Sequence, residues 1–376
     1  MTAVRKTGRS YWQVQMRRQL VTIAAEGVLL AAMPTAEQHV LRPATAETIW
    51  SSGPAVYAYL LAAVLSATYL AVAVPLGHHC WYVVRRRFGL ARGTPWRAFK
   101  TVARHVVGRC FLMLLFLVVI LQAHHWGLWP WSVWTAVVLY SLAKIVGIPR
   151  RGPSRASGYD AYPLEDSDRL RPLMEFAIRH GFGGVQFLGL RARQVGREVI
   201  AAVSDGGRCA KVYLSDNLLD LMSDRELLAV LAHELGHKAH RHGRWGAGLF
   251  MVNLVAIVLA VSAFLHLLVP DPTDSWRAVY AAPVLVLVAW VAHMLAQPVI
   301  LCLGRHHELR ANEWALTATN DPAAFISAME KLAGNNLVSG SPGWIEKLLF
   351  NTHPSLGRTI AQAESYAAGH NIELRS

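Results

Sequence analysis

The chain has 376 residues, enough for two domains, but 53% are hydrophobic, only 16% are charged and 13 are tryptophan. That balance speaks against an ordinary pair of soluble domains and for a membrane protein. The net charge of +13 sits on basic residues that bracket apolar runs, the pattern of cytoplasmic loops rather than of a nucleic-acid surface.

Residues 1–18 are basic, and the apolar run from about Leu20 to Met33 is short and contains Glu26. We read a first membrane helix over 12–33, with its arginines snorkelling to the surface, in preference to a signal peptide ending near Pro34-Thr35-Ala36. Ala55 to Gly77 is nearly uncharged and long enough to span. Arg85, Arg86, Arg87, Arg92, Arg97, Lys100, Arg104 and Arg109 then place the next loop in the cytoplasm. Spans follow over 106–124 and 132–148, with Trp126, Trp129, Trp131 and Trp134 at the turn as an interfacial belt. His78-His79 and His124-His125 fall at span ends, where interfacial polar residues are the expected reading. Residues 1–150 thus form an N-terminal membrane region. Four scattered cysteines, Cys80, Cys110, Cys209 and Cys302, with no Cys-x-x-Cys, argue against a disulfide framework or zinc ribbon.

Charge returns over 151–245, after a Gly-Pro-Ser-Arg-Ala-Ser-Gly linker. Asp166 to His180 reads as an amphipathic helix that stops at Gly181. Val185–Leu190, Glu198–Val203 and Cys209–Leu214 read as strands, the last two as a hairpin about Asp205-Gly206-Gly207. Ser215 caps a short helix. Ser223, with Glu226 three residues on, is a capping box that opens a longer one. On it His233 and His237 stand at i and i+4, one face of the helix, where both imidazoles can reach a single ion. Glu234, beside them, is placed to take a proton from water held by that ion. Gly236 costs on the order of 1 kcal/mol of helix propensity against Ala, so a small residue there points to close packing or room for substrate.

Two further spans, Trp245–Val269 and Ala278–Leu303, make 246–303 a second membrane region, joined outside by Pro270–Asp274. His266 and His293 lie within them. Residues 304–376 return to the cytoplasm, with one helix opening at Asp321-Pro322 and a last one after Thr352-His-Pro-Ser355. Two histidines do not complete a catalytic zinc site, which takes three protein ligands and keeps a position open. Glu308, on the continuation of the last span, is the best third ligand. On spacing alone His306, His307 and Glu313 remain alternatives. Asn312, one turn beyond Glu308, can orient a ligand histidine through its amide oxygen. The expected architecture is a mainly α membrane protein. It has about six transmembrane helices and a cytoplasmic α+β domain that the last two spans divide.

His233-Glu-Leu-Gly-His237, Glu308 with a polar residue four on, and Thr352-His-Pro-Ser355 followed by Arg358 together resemble the integral-membrane zinc metallopeptidases of the HtpX-like and CAAX prenyl protease group. Val212–Leu219 and Arg87–Thr94 are similar to the same group. The resemblance implies a gluzincin catalytic domain wrapped in transmembrane helices. It also implies one Zn2+ per chain on His233, His237 and Glu308, with Glu234 as the base. His353 or Arg358 would steady the oxyanion, and the substrate would be a membrane-associated polypeptide. The chain is expected to be a multi-pass protein of a bacterial cell membrane, with its catalytic domain in the cytoplasm by the charge of the loops. Two departures stand out: Asn312 occupies a position where the group usually has aspartate, and Ile200-Ala201 stands where it often has Asn-Ala. A zinc endopeptidase is therefore the leading hypothesis, and a weakened or non-catalytic membrane scaffold of the same fold is the second. A metal transporter lacks charged pairs facing each other within the spans.

Overall fold

The computed structural model of the chain describes residues 2–43, 53–125, 159–164, 168–204, 211–337 and 342–374. Helix α1 (Thr2–Ala36) continues through a π-helical turn, Glu37–Leu41. α2 (Pro54–His78) likewise runs on through His79–Val83 to Arg87, and α3 covers Pro95–His125. Among the described residues four helices are long and apolar enough to cross a membrane: Tyr11–Leu41, Val56–Arg87, His242–Leu268 and Ser275–Thr319. The span expected at 106–124 lies within α3. The one expected at 132–148, the tryptophan cluster, the linker and the Asp205–Gly207 turn fall outside the described residues.

The first span outruns its expected end at Met33. Glu37, only 3% exposed, would be costly there if left unpaired. It is paired instead: Arg42 Nη2 donates to its Oε2 at 2.8 Å and Tyr57 Oη donates to its Oε1 at 2.7 Å.

A small mixed sheet follows, with strands β1 (Ala161–Pro163), β2 (Gln186–Leu190), β3 (Ala201–Ser204) and β4 (Lys211–Ser215) in the order β1-β2-β4-β3. β3 and β4 pair antiparallel with Ala202 opposite Tyr213, as the hairpin reading requires. The parallel pairing of β2 with β4 is not legible from their sequences. β1 was not anticipated either: three residues carry no alternation, and Pro163 is tolerated because an edge strand leaves its missing N–H unused. Between β1 and β2, α4 (Arg171–Arg179) is shorter than the helix expected over Asp166–His180, and the left-handed Gly181 (φ +82°) ends it as read.

After β4 come α5 (Asp216–Leu221), α6 (Asp224–Ala239), α7 (His242–Leu268), α8 (Ser275–Thr319), α9 (Pro322–Asn335), α10 (Trp344–Leu349) and α11 (Leu356–Gly369). One buried core joins Leu173, Phe176, Leu214, Leu218 and Leu231 to Ala315, Phe325, Ala328 and Ala363. Residues before and after the two membrane helices α7 and α8 thus share a single core. A second apolar cluster lies among α1, α2, α7 and α8. The 45 residues of α8 extend roughly 68 Å at 1.5 Å each, more than twice the ~30 Å of hydrocarbon in a bilayer. The helix can therefore cross the membrane and still carry Glu308 into the core beyond it.

Candidate metal centre

The helix bearing the paired histidines is fixed at its N-terminus by side chains. The Ser223 backbone N–H donates to Glu226 Oε2 at 2.7 Å, and Ser223 Oγ accepts from the Glu226 N–H at 3.4 Å. This is the capping box read from the sequence. Glu226 is also tied to the later part of the chain, accepting from Lys331 Nζ at 2.7 Å and from Ser327 Oγ at 2.5 Å. These bonds hold its carboxyl pKa at about 2, against the opposing effect of burial.

Further along α6, Gly236 meets α8. A Cβ on Gly236 would stand 2.9 Å from the carbonyl oxygen of Ala311 and 3.1 Å from its Cα. The glycine therefore lets two helix backbones approach, and the packing alternative is the one realised. This contact brings Glu308 to the histidines. His233 Nε2 lies 3.5 Å from Glu308 Oε2, His237 Nε2 lies 3.5 Å from Glu308 Oε1, and the two Nε2 atoms are 3.2 Å apart. One ligand atom from each residue falls within 4.8 Å of the others. Two ring nitrogens facing each other and a carboxylate across a gap of this size match a divalent ion of zinc's size and ligand preference, with a position left over.

The surroundings fit that use. The Glu234 carboxyl has its pKa raised to about 7, chiefly by burial, with the charge of Glu308 adding to it and His233, His353 and a backbone bond from Val203 opposing it. The His237 pKa is lowered to about 3, by burial first and then by neighbouring His233, so this imidazole is neutral and available as a ligand. For His233 burial pulls the pKa down, but the hydrogen bond and charge of Glu308, with smaller contributions from Glu234 and Asn312, raise it overall. His353 Nδ1 reaches Glu308 Oε2 at 2.8 Å, and this contact raises the His353 pKa.

Asn312 is 2% exposed and donates through Nδ2 to Gln362 Oε1 at 3.2 Å. Gln362 is itself anchored to the Leu309 carbonyl at 2.8 Å. The amide nitrogen being engaged, the Asn312 oxygen is left for His233, whose buried Nδ1 makes no hydrogen bond among the described residues and whose pKa Asn312 helps to raise. The alternative ligands stand apart from the three-residue group. His307 stacks on His242 with ring centroids 4.4 Å apart, and Glu313 pairs with Arg310 at 3.8 Å. Arg358 is exposed, and its backbone N–H caps onto Ser355 Oγ at 3.4 Å. Among the described residues its side chain makes no ion pair. One residue at the centre escaped the sequence reading: His242, whose Nδ1 lies 2.9 Å from His237 Nδ1. It stands beyond the end of α6, so no helical spacing relates it to the ligands. Arg241, in the left-handed region at φ +53°, turns the chain back toward them.

The model of Peptidase family M48 matches residues 201–367, which include β3, β4, the three-residue group and His353. This part of the chain is similar to peptidase family M48. The resemblance drawn from the motifs is borne out. The chain is similar to the uncharacterized metalloprotease YhfN of Bacillus subtilis, with 23% identity over 216 residues, 54% of this chain and 49% of that protein. It is also similar to a protease HtpX homolog of Tropheryma whipplei, with 30% identity over 162 residues, 39% of this chain and 55% of that protein. The matches thus span about half the length of these relatives. The fold agrees over a greater extent: the crystal structure of S. mikatae Ste24p superposes with a TM-score of 0.69 at 16% identity, covering 96% of this chain and 89% of that one. The membrane helices as well as the M48 region therefore share that fold.

Proposed function

We propose that the protein is a membrane-embedded zinc endopeptidase that hydrolyses peptide bonds of membrane or membrane-associated polypeptides. The observation that carries this reading is the convergence of His233, His237 and Glu308 from two helices, with Glu234, half-buried, beside them. In this reading His233, His237 and Glu308 hold one zinc ion. Bound there, zinc supplies Lewis acidity for the scissile carbonyl and makes water more acidic. Glu234 takes the water proton on its carboxylate and returns it to the leaving amine. Burial, by raising its pKa toward neutrality, suits it to both halves of that transfer. His353, exposed on one side and in contact with Glu308, is placed to donate to the developing oxyanion.

The membrane setting follows from four long apolar helices and from basic residues beside them, which argue for residues 151–245 and 304–376 on the cytoplasmic side. A cysteine placed at Asp168, whose side chain is 97% exposed, should then resist an impermeant thiol reagent in intact cells and react after lysis. Rapid labelling in intact cells overturns the topology.

Purified full-length protein in detergent tests the chemistry. We expect one zinc per chain and chelator-sensitive cleavage of an unfolded protein, absent in Glu234→Gln. Zinc with no cleavage by the wild type selects the scaffold reading, which neutral Asn312 in place of aspartate favours.

A further inference from the structure

We infer that His242 is a positioning residue for the metal centre: it fixes the tautomer and ring plane of His237 by accepting a hydrogen bond from its Nδ1–H. This rests on the reading of His237 as a ligand. The His237 ring offers two nitrogens. Its Nε2 faces His233 Nε2 at 3.2 Å and Glu308 Oε1 at 3.5 Å, and its Nδ1 faces His242 Nδ1 at 2.9 Å. Two ring nitrogens at 2.9 Å share one proton, so one donates and the other accepts. A nitrogen that ligates a metal cannot keep a proton. If Nε2 binds, the proton of neutral His237 is on Nδ1, and His242 Nδ1 must be the bare acceptor, with its own proton on Nε2. A single contact thereby sets both tautomers.

His242 is held for this task. It is 9% exposed, and its ring is stacked on His307 with an interplanar angle of 9° and on His240 with one of 21°. The two stacks fix the plane in which its nitrogen lone pair points. Ligand histidines commonly give their second N–H to a carboxylate or a carbonyl. Here the acceptor for His237 is an imidazole, while the neutral amide of Asn312 faces His233. Neither ligand histidine rests on a negative charge, and Glu308 is left as the anion in direct contact with both.

The test is zinc affinity of the full-length protein in detergent, measured by competition with a chromophoric chelator. His242→Leu should weaken binding by about 10-fold, up to 100-fold. His242→Asn should recover most of the loss, because asparagine carries Oδ1 where histidine carries Nδ1. His242→Gln, whose acceptor lies one bond further out, should not. His240→Leu removes one of two stacking partners but leaves the acceptor and the His307 stack, and should weaken binding less than His242→Leu does. The d–d spectrum of the cobalt-substituted protein should shift in His242→Leu and return in His242→Asn. Equal affinities for wild type and His242→Leu overturn the inference. So does an equal loss in His242→Asn and His242→Gln, a comparison that still decides if the leucine variant fails to fold. Wild-type protein that binds no zinc instead removes the ligand reading beneath it.

Discussion

The two helices that face each other across the metal centre, α6 and α8, are built on opposite principles. α6 has 16 residues and is specified locally: a capping box starts it, and Leu227, Val230, Leu231 and Leu235 bury one side of it in the core. α8 has 45 residues, contains Pro283 and Pro298, and for most of its length is an apolar rod long enough to cross a membrane, packed at its start against α1, α2 and α7. It becomes part of the centre only in its last third, where Ala311, Asn312, Ala315 and Leu316 are buried. The contrast shows how one site draws on two kinds of information. The short helix holds a ready-made pair of ligands, and the long one delivers a third because Gly236 lets it come close.

The comparison is broken most severely at the chemistry. Glu308→Ala should lose zinc and peptidase activity together, as should His233→Ala and His237→Ala, although the residues come from both helices. Glu234→Gln should keep its zinc and lose turnover by about 10²–10⁴-fold. Metal analysis beside a peptidase assay separates the two outcomes. Full zinc retention in Glu308→Ala would move the third ligand to His306, His307 or Glu313.

Gly236→Ala attacks the contact between the helices. Its Cβ meets backbone at 2.9 Å, which cannot swing aside like a side chain, so α6 and α8 must part. A stability loss of about 1–3 kcal/mol, despite alanine's better helix propensity, should accompany weaker zinc binding. A stabilised variant with unchanged zinc affinity would show that the close approach is dispensable.

Asn312 sharpens the comparison from the side of α8. Asn312→Asp should raise zinc affinity or turnover and Asn312→Ala lower both, by about 10-fold, up to 100-fold, since charge-assisted bonds to a ligand imidazole are about twice as strong as neutral ones. No effect of either substitution would place Asn312 outside the site.

The smallest effect should come from the N-terminus of α6. Glu226 has a carboxyl pKa near 2 in the folded chain against 4.5 unfolded, so its bonds stabilise the fold fully above pH 4.5 and lose that contribution as the pH falls toward 2. Lys331 is 39% exposed, which reduces the gain to about 1–2 kcal/mol. Chemical unfolding of Glu226→Gln should show that deficit at pH 7 and less than half of it at pH 3. An equal deficit at both values would mean that packing, not ionisation, is responsible.

The sequence by itself determined what depends on near neighbours in the chain. Ser223 and Glu226 start α6, and the i, i+4 spacing puts His233 and His237 on one face. Ser215, Asp321 and Ser355 cap the helices that follow them, and long apolar runs mark four of the spans. Each is a local rule of hydrogen bonding or hydropathy. Only the tertiary structure decided which distant groups meet. It parted Glu308 from His306, His307 and Glu313, which share its stretch of chain, because the face that α8 turns to α6 is set by the contact of Gly236 with Ala311. It brought His353 to Glu308 across 45 positions and folded His242 back on His237 through one left-handed residue, Arg241. It set β2 parallel to β4, a pairing that two short apolar strands do not encode. Contacts of this kind arise from packing between elements whose separation along the chain carries no periodic signal, and so they leave no mark in the sequence.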